Sequence, residues 1–392
     1  MPSLECVDSK LAFTCAHEKI PAASAEVEVL FQYARWLQKN NQLKRDPDVN
    51  REIERLYRIS VENDHYKANV NLQNGSMRGH FKLRGWEHLR LSEKLIEANV
   101  ATGYLFVSYF LEQGAAGLQQ NSEMALRYLR KAADEGSAKA QYEVAEKLAP
   151  IKVAPKIARQ MRRCAAEQLH GKAAVALGVN LQTKGEYRES IEVLQMGVAG
   201  GYEHAAGRLR NAFEGADASD VFDYYGQIQD LERAERYRAI WSMLADYSYA
   251  NPSVLEINDI VPLPPAKLPP WDGKLQWLEA RLANIPPEKP SEALIHKLAK
   301  EKVLDPATGK PMPGSPAFGG ANFPIMRCVS GKPCPASGYW KAYINSYNDE
   351  IRYINEGDVM PLYEETVAHR RMWPLRKKVV HHKLRIDWGL LG

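Results

Sequence analysis

The feature that most constrains the fold of this chain is an internal repeat with a period near 33 residues. The segment that begins at Ala125 aligns with the segment that begins at Ala158, so that four alanines and a lysine recur at an offset of 33. A weaker copy continues the register downstream, and two earlier copies lie upstream. Small residues therefore recur at Ala68, Thr102, Ala140, Ala173 and Ala205. A period in this range predicts helix–turn–helix units stacked side by side, because one helical hairpin cannot bury its apolar face alone.

The repeats predict a mainly α protein, an α-solenoid over residues 25–249 that follows an N-terminal extension, 1–24. Proline clusters over 250–290 remove backbone donors and fix φ, which predicts an extended strap that packs along the solenoid. One helix is expected within the strap, at 271–283. Alternation, aromatic residues and turn signals then predict a β-rich C-terminal module over 291–392, with a short helix near 294–303.

Composition excludes two classes of protein. No stretch approaches the roughly 20 apolar residues of a membrane helix, which excludes an integral membrane protein. The 52 Lys and Arg against 48 Asp and Glu leave a net charge of +4, too balanced to predict nucleic acid as the partner. Seven cations without an acid lie between Arg370 and Arg385. Such a run is typical of a solvated face, and contact with anionic lipid or nucleic acid is the alternative.

The five cysteines form two local pairs, Cys6 with Cys15 and Cys328 with Cys334, while Cys164 stands alone. Paired cysteines in short loops suit an oxidising compartment, and unrelated thiols in a reduced protein are the alternative. The lone cysteine is expected to be a thiol without chemistry. The N-terminus has neither a basic n-region nor an apolar h-region, so the protein is either cytosolic or has lost a leader.

One motif resembles catalytic chemistry but has the wrong spacing. Phospholipase D enzymes use His-x-Lys followed by four residues and Asp, in two copies. From His381 and Lys383 the aspartate would fall on Trp388, and no second copy exists. A zinc site from Cys328, Cys334 and His381 or the next histidine has poor ligand spacing. Phosphate-loop, metalloprotease and dinucleotide motifs are absent, so we expect a protein that is not an enzyme and uses no cofactor.

Residues 117–136 resemble a Sel1-like repeat. That pattern combines a Gly-Val pair, a polar N-cap, Ala, an aromatic residue, Ala-Ala and Gly. The corresponding positions are Gly117-Leu118, Asn121, Ala125, Tyr128, Ala132-Ala133 and Gly136. The resemblance weakens in the other copies and covers about half of the chain. It implies a solenoid similar to tetratricopeptide arrays, which serves as a protein-binding scaffold.

A narrower resemblance joins three parts of the chain. The segment KLAFTCAHEK at Lys10, the repeat array, and GKPCPASGYWKA at Gly331 together look like the bacterial immunity proteins that neutralise type VI secretion effectors of the phospholipase D type. The family motif Cys-Pro-x-(Ser/Thr)-Gly-aromatic-Trp corresponds to 334–340. The resemblance implies a periplasmic inhibitor that occludes the lipase active site, with no nucleic acid or small-molecule substrate. It also implies a leader or lipoprotein signal, which this chain lacks and which would supply a membrane tether.

Candidate partner contacts lie in the C-terminal module, because Trp, Tyr and Arg dominate interface energetics. They are Tyr339, Trp340, Tyr343, Arg370, Arg371 and Trp373. Core packing is the alternative for the aromatic residues. For the whole protein, the alternative to an immunity protein is a generic Sel1-like adaptor that assembles an envelope or signalling complex.

Overall fold

The computed structural model describes residues 11–149, 154–318, 327–335, 337–343, 351–369 and 378–390. The expected fold class is confirmed: an α-solenoid is followed by a proline-rich strap and a small β module. The array consists of α1 (Ala25–Asn41), α2 (Pro47–Glu62), α3 (Tyr66–Met77), α4 (Gly85–Glu97), α5 (Thr102–Gln113), α6 (Ser122–Asp134), α7 (Ala138–Leu148), α8 (Pro155–Glu167), α9 (Gly171–Gln182), α10 (Tyr187–Ala199), α11 (Glu203–Glu214) and α12 (Leu231–Asp246). None of the described helices combines the length and apolar character needed to cross a bilayer.

The five turns that join α2 to α3, α4 to α5, α6 to α7, α8 to α9 and α10 to α11 share one backbone geometry. Each places one residue in the left-handed conformation, and that residue and its successor donate back into the preceding helix. In the α6–α7 turn, the Gly136 N–H donates to Ala133 O at 3.2 Å and the Ser137 N–H to Ala132 O at 2.9 Å. The left-handed residues are Asp64, Asn99, Gly136, Leu169 and Gly201. Their spacing, 35, 37, 33 and 32 residues, is the physical repeat of the array.

A small buried residue lies four positions after each left-handed residue. These residues are Ala68, Gly103, Ala140, Ala173 and Ala205. The register expected at Thr102 is therefore wrong by one residue. A Cβ added at Gly103 would lie 2.7 Å from Ser92 O, so the glycine lets α5 approach the backbone of α4.

The strap covers the C-terminal end of the array. It contains α13 (Ile257–Ile260) and α14 (Gln276–Ala283), so it holds a short helix beyond the one expected, and the second begins five residues later than expected. Val261 is fully buried against α10 to α12. The buried Gln195 side chain on α10 donates to Val261 O at 2.7 Å. A buried side-chain amide thus satisfies a strap carbonyl that the prolines leave without a ladder partner.

A further helix, α15 (Glu292–Glu301), returns to the N-terminal end of the array. Ile295, Leu298 and Ala299 are buried in one cluster with apolar residues of α1 and α2. A hydrogen bond also joins α1 to the end of the strap, because the Asn40 side chain donates to Asn284 Oδ1 at 3.0 Å. Residues 292–304 therefore pack with the helical body and not with the β module, which the sequence placed at 291–392.

The N-terminal segment, residues 11–24, lies across the turns of the middle repeats. The Glu18 N–H donates to Gly136 O at 3.0 Å, and the Glu18 carboxylate accepts from the Thr102 N–H at 2.6 Å. A Cβ at Gly136 would lie 2.6 Å from Glu18 N, so this glycine permits the segment to pass directly over the turn. A disulfide between Cys15 and Cys164 fixes the segment to α8.

The C-terminal module contains six described strands. They are β1 (Arg327–Val329), β2 (Gly338–Tyr343), β3 (Ile351–Ile354), β4 (Tyr363–His369), β5 (Lys378–Leu384) and β6 (Asp387–Leu390). An antiparallel sheet has the order β1-β6-β2-β3, and β4 pairs with β5 in a separate two-stranded sheet. Burial raises the pKa of Glu93 on α4 to about 7, against the opposing charge of Lys341 on β2. The module therefore lies near α4.

Candidate functional site

An open cleft of about 690 Å³ lies at the N-terminal end of the array. Its walls are the start of α2, the segment between α3 and α4, and the 305–311 loop that follows α15. Its cationic and imidazole side chains are Arg45, Arg51, Arg78, His80, Lys82 and Lys310. Glu54 is the one carboxylate among its lining residues. A concave surface with this balance concentrates positive potential and favours an anionic ligand.

One wall of the cleft is residues 78–84, which we call the basic segment. Its basic side chains occupy alternate positions and are exposed: they are Arg78, His80, Lys82 and Arg84. Phe81 is buried and packs edge-on against Tyr57, with ring centroids 6.0 Å apart. A Cβ at Gly75 would lie 2.1 Å from the Phe81 ring, so the glycine makes room for this anchor. The buried ring holds the backbone in place while the basic side chains face solvent.

Arg58 supports the basic segment from below. Its guanidinium contacts Glu54 at 2.8 Å and Glu87 at 2.6 Å, and it donates to Lys82 O at 2.8 Å. Burial would raise the pKa of the Glu87 carboxyl, but the hydrogen bond and charge of Arg58 outweigh burial and hold that pKa below its ordinary value. Both carboxylates pair with the one buried guanidinium of Arg58, so the three groups leave a single formal negative charge against the cations at the cleft surface.

The 305–311 loop is fixed against α2. Arg55 donates to Pro306 O at 2.6 Å and pairs with Glu292 at 2.7 Å. Gly309 has a φ of 68°, and a Cβ there would lie 2.6 Å from Arg55 O. Only glycine combines this left-handed backbone with so close an approach to α2 at little steric cost. The loop thereby places Lys310 opposite the basic segment.

Several cations of the cleft form no ion pair with the residues that the structure describes. They are Arg45, Arg78, Lys82 and Lys310. Arg51 differs, because it pairs with Asp48 on the exposed start of α2. Unpaired cations in a concave surface keep their charge available to a ligand. This lining favours anionic groups, and its residues bring together no nucleophile activated by a base.

Two neighbouring cavities extend the cleft. One of about 490 Å³ shares Lys82 and Lys310 with it and adds the aromatic residues Trp86 and Phe318. The other, of about 190 Å³, shares Asn50, Arg78 and His80. Its further lining is mostly amide side chains, including Gln38, Asn71 and Asn74. The site is therefore a groove with an apolar end, a cationic middle and an amide-rich end.

Part of the chain matches a known family model. Residues 205–312 match a domain of unknown function, DUF6396. This range runs from α11 through the strap and α15 and includes the 305–311 loop, so it contains one wall of the cleft. Comparison with curated proteins finds no match.

Three solved structures from Pseudomonas aeruginosa are similar in fold. The protein 5086 is 23% identical, the immunity protein Pa5087 is 22% identical, and the immunity protein PA5088 is 21% identical, each with a TM-score of 0.50. The similarity covers 64%, 65% and 64% of this chain and 95%, 95% and 94% of those proteins, respectively. At this level of identity the likeness is one of fold.

One of the six expected partner contacts, Trp340, lies in the core of the C-terminal module. Trp340 is fully buried in the module core with Trp388 and Cys334, so its side chain fills the core and presents no surface. Tyr339 and Tyr343 lie in the same strand, β2, where only their backbone is described. The remaining candidates, Arg370, Arg371 and Trp373, lie outside the described residues. The contact role of these five residues stays a prediction.

The cysteine pairing differs from the expected one. Cys15 bonds to Cys164, 149 residues away, so the expected partner Cys6 is not its partner and Cys164 is not a free thiol. Cys6 lies outside the described residues. Cys328 and Cys334 are free cysteines, and the expected local disulfide between them is absent. The N-terminal segment crosses the array at α8, which brings a distant sulfur closer than any sequence neighbour.

The disulfide also bears on metal binding. Within the described part of the chain, one group of potential ligands brings its atoms within 4.8 Å of one another, and it consists of Cys15, His17 and Cys164. Because the two sulfurs are bonded to each other, neither is available as a thiolate.

The two residues that resemble part of a phospholipase D motif, His381 and Lys383, lie on β5, an edge strand of the two-stranded sheet.

Sequence reasoning missed the cleft, although a signal for it exists. The basic segment reads RGHFKLR, in which basic residues alternate with Gly, Phe and Leu. That alternation marks a basic connection between two helices, in which Gly79 and His80 form the turn that ends α3 by donating back to Ser76 O and Gly75 O. The start of α2 lies nearby in the sequence, but the opposite wall, the 305–311 loop, is more than 200 positions away, and only the return of α15 brings it there.

Proposed function

We propose that this chain is an immunity protein that binds a toxin of the phospholipase D type and inhibits it. The observation that carries the proposal is the combination of the Sel1-like array with the Cys334–Trp340 motif, which together resemble that family. The fold shared with the immunity proteins Pa5087 and PA5088 supports the same role.

The position of the motif separates its structural role from recognition. The Gly357 N–H donates to Cys334 O at 2.8 Å, and the Glu356 N–H donates to the Ser337 hydroxyl at 2.8 Å. Together with the burial of Trp340, these bonds tie β2 to the turn after β3. The motif thus helps to build the module.

Inhibition by occlusion follows from a rigid array and requires no catalytic group. The array and the module would cover the mouth of the toxin active site and exclude lipid from it. The complex must be tight and slow to dissociate, since a single released toxin molecule continues to turn over. A standard-sized interface, about 1,600 Å² in total, is sufficient for such affinity.

We further propose that the protein acts in the periplasm after removal of a leader, with a lipoprotein signal as a membrane tether. The bond between Cys15 and Cys164 supports this location, because structural disulfides persist in oxidising compartments and are rare in the cytosol. Expression of the full-length precursor followed by cell fractionation tests the location. Recovery of the mature protein in the cytosol with both thiols reduced would contradict it.

The inhibitory role is tested by titrating the purified chain into the toxin encoded beside its gene while release of the phospholipid headgroup is measured. We expect activity to fall linearly and to vanish near one equivalent. Undiminished lipid hydrolysis at tenfold excess would refute the role. Inhibition of a toxin with a different activity would retain the immunity role and exclude the phospholipase D assignment. Capture of a non-toxic partner from native cells, without inhibition, would favour the adaptor alternative.

A further inference from the structure

The cleft at the N-terminal end of the array has the features of a recognition site for an acidic stretch of protein. We propose that an extended segment of the partner, rich in Asp and Glu, docks in this cleft. The inference rests on the proposed function insofar as the partner is the toxin. It assigns a docking surface and a chemical class of ligand to a region outside the β module.

Charge is the first argument for an acidic ligand. The four cations without an ion pair point to a ligand that supplies several negative charges. The carboxylates nearest to them, Glu54 and Glu87, share the guanidinium of Arg58, so they leave one formal negative charge against the four cations. A carboxylate entering the cleft therefore meets uncompensated positive charge and little repulsion.

Size and lining are the second argument, and they favour a protein segment over a single small anion. The central cleft alone, about 690 Å³, far exceeds the volume of one phosphate or carboxylate. At one end Trp86 and Phe318 offer apolar surface, and at the other Asn71 and Asn74 offer amides. An extended peptide uses all three kinds of lining, because its backbone bonds to amides and its side chains occupy the apolar and cationic parts.

Rigidity is the third argument. Phe81 anchors the basic segment, Arg58 holds its backbone through Lys82 O, and Gly309 seats the opposite loop against α2. The walls are therefore fixed before a ligand arrives. Binding then orders little besides the ligand and the tips of the cationic side chains, which raises the affinity obtained from each contact.

The strap offers a matched control. It carries a cavity of about 480 Å³ whose charged lining is mainly acidic: Glu256, Asp259, Asp272, Glu279 and the single cation Lys274. This cavity is similar in size to the cavity of about 490 Å³ beside the cleft, but its charge is opposite to that of the cleft. Substitutions there can reproduce a change in net charge without altering the cleft.

The decisive experiment compares two variants of the full chain by titration calorimetry with the toxin. Arg78→Glu with Lys82→Glu reverses two exposed cations of the cleft, and Lys267→Glu with Lys274→Glu makes the same change in net charge on the strap. We expect the cleft variant to bind about 100-fold more weakly and the strap variant to bind within about threefold of the parent. Equal affinities for both variants would overturn the proposal while leaving the proposed function intact. Thermal unfolding by circular dichroism confirms that each variant is folded.

A toxin-free arm separates the two proposals. Labelled hexaglutamate should bind the parent chain at low salt, bind more weakly as salt rises, and lose binding in the cleft variant but not in the strap variant. If hexaglutamate behaves in this way but the toxin does not bind, the proposed function is refuted and the proposal of an acidic ligand in the cleft is supported. Inorganic phosphate that binds as tightly as hexaglutamate would overturn the proposal. The proposal would also be overturned if anionic phosphatidylglycerol vesicles bound through the same two cations and hexaglutamate did not bind.

Discussion

The two ends of the helical array are closed by the same stretch of chain, but they present opposite charge. At the C-terminal end, the strap covers α10 to α12 and leaves a mainly acidic cavity. At the N-terminal end, α15 covers α1 and α2, and the loop after it completes a basic cleft. A solenoid exposes apolar surface wherever its stacking stops, so both ends need a cap. The caps are alike in their packing, and only one of them builds a groove for an acidic ligand.

The largest expected effect concerns the buried charge beneath the cleft. Arg58→Ala leaves Glu54 and Glu87 partly buried without a cation, and we expect it to lower the free energy of unfolding by about 3 to 5 kcal/mol. At the opposite end, Arg236→Ala removes a buried guanidinium whose carboxylate partner, Glu232, is 65% exposed. Its loss should cost about 1 to 3 kcal/mol, because water can solvate Glu232. Urea unfolding measures both, and equal costs would contradict the distinction between the ends.

The next effect tests the apolar caps. Leu298→Ala on α15 should lower the free energy of unfolding by about 2 to 4 kcal/mol, since this side chain is 3% exposed. Val261→Ala in the strap removes one side-chain carbon fewer than Leu298→Ala and should cost about 1 to 2 kcal/mol. Leu282→Ala, at a position that is 64% exposed, is the control and should change stability by less than about 0.5 kcal/mol. A neutral Leu298→Ala would mean that α15 does not close the N-terminal end.

A comparable effect is expected from the disulfide, which joins the N-terminal segment to the middle of the array. Cys15→Ser should lower the free energy of unfolding by about 2 to 4 kcal/mol and open residues 11–24 to proteolysis. Cys328→Ser, at a free and partly exposed cysteine, is the control and should leave both properties unchanged. Identical proteolytic patterns for the two variants would show that the segment is held without the bond.

The smallest effect is the pH dependence of stability that arises at α9, a helix between the two ends of the array. Burial, assisted by the charge of Lys139, lowers the pKa of His170 to about 4, below the ordinary value near 6.5. The neutral ring caps α9 by accepting the Ala173 N–H at 3.2 Å. Because the folded state disfavours the proton, stability is fully present above pH 6.5 and is lost as the pH falls toward 4. His170→Ser keeps a cap, as Ser137 does one repeat earlier, and should flatten this part of the profile.

The control for this prediction is His204→Ser, which removes an exposed imidazole and should leave the profile unchanged. Melting temperatures measured between pH 7.5 and 4.5 distinguish the variants. Burial also lowers the pKa values of His65 and His88, so some loss of stability at low pH should remain in the His170→Ser protein. An unaltered slope in that protein would show that the cap is not the titrating group.

The array could be predicted from the sequence because its signal is local and periodic. Ala140, Ala173 and Ala205 recur at the repeat and lie where a helix contact needs a small side chain. The error of one residue at Thr102 arose because the period itself varies, and the alanine pattern alone cannot locate an inserted turn residue. The left-handed positions are the better marker, yet Leu169 holds one without being a glycine.

The cleft and the disulfide could not be predicted in the same way, because each depends on where distant segments return. Cys15 bonds to Cys164 only because the N-terminal segment crosses α8. Lys310 faces the basic segment only since α15 packs on α1 and α2. Local spacing favoured neighbouring cysteines and aromatic residues of the C-terminal module. Tertiary packing instead buried Trp340 and placed the unpaired cations in the cleft of the helical array.

Hydrogen–deuterium exchange of the chain alone and in complex with the toxin tests the central claim most directly. If an acidic segment occupies the cleft, backbone amides over 77–84 and 305–311 should exchange more slowly in the complex, while those over 255–279 should not change. Protection confined to the strap or to the β module, with none in the basic segment, would contradict the account.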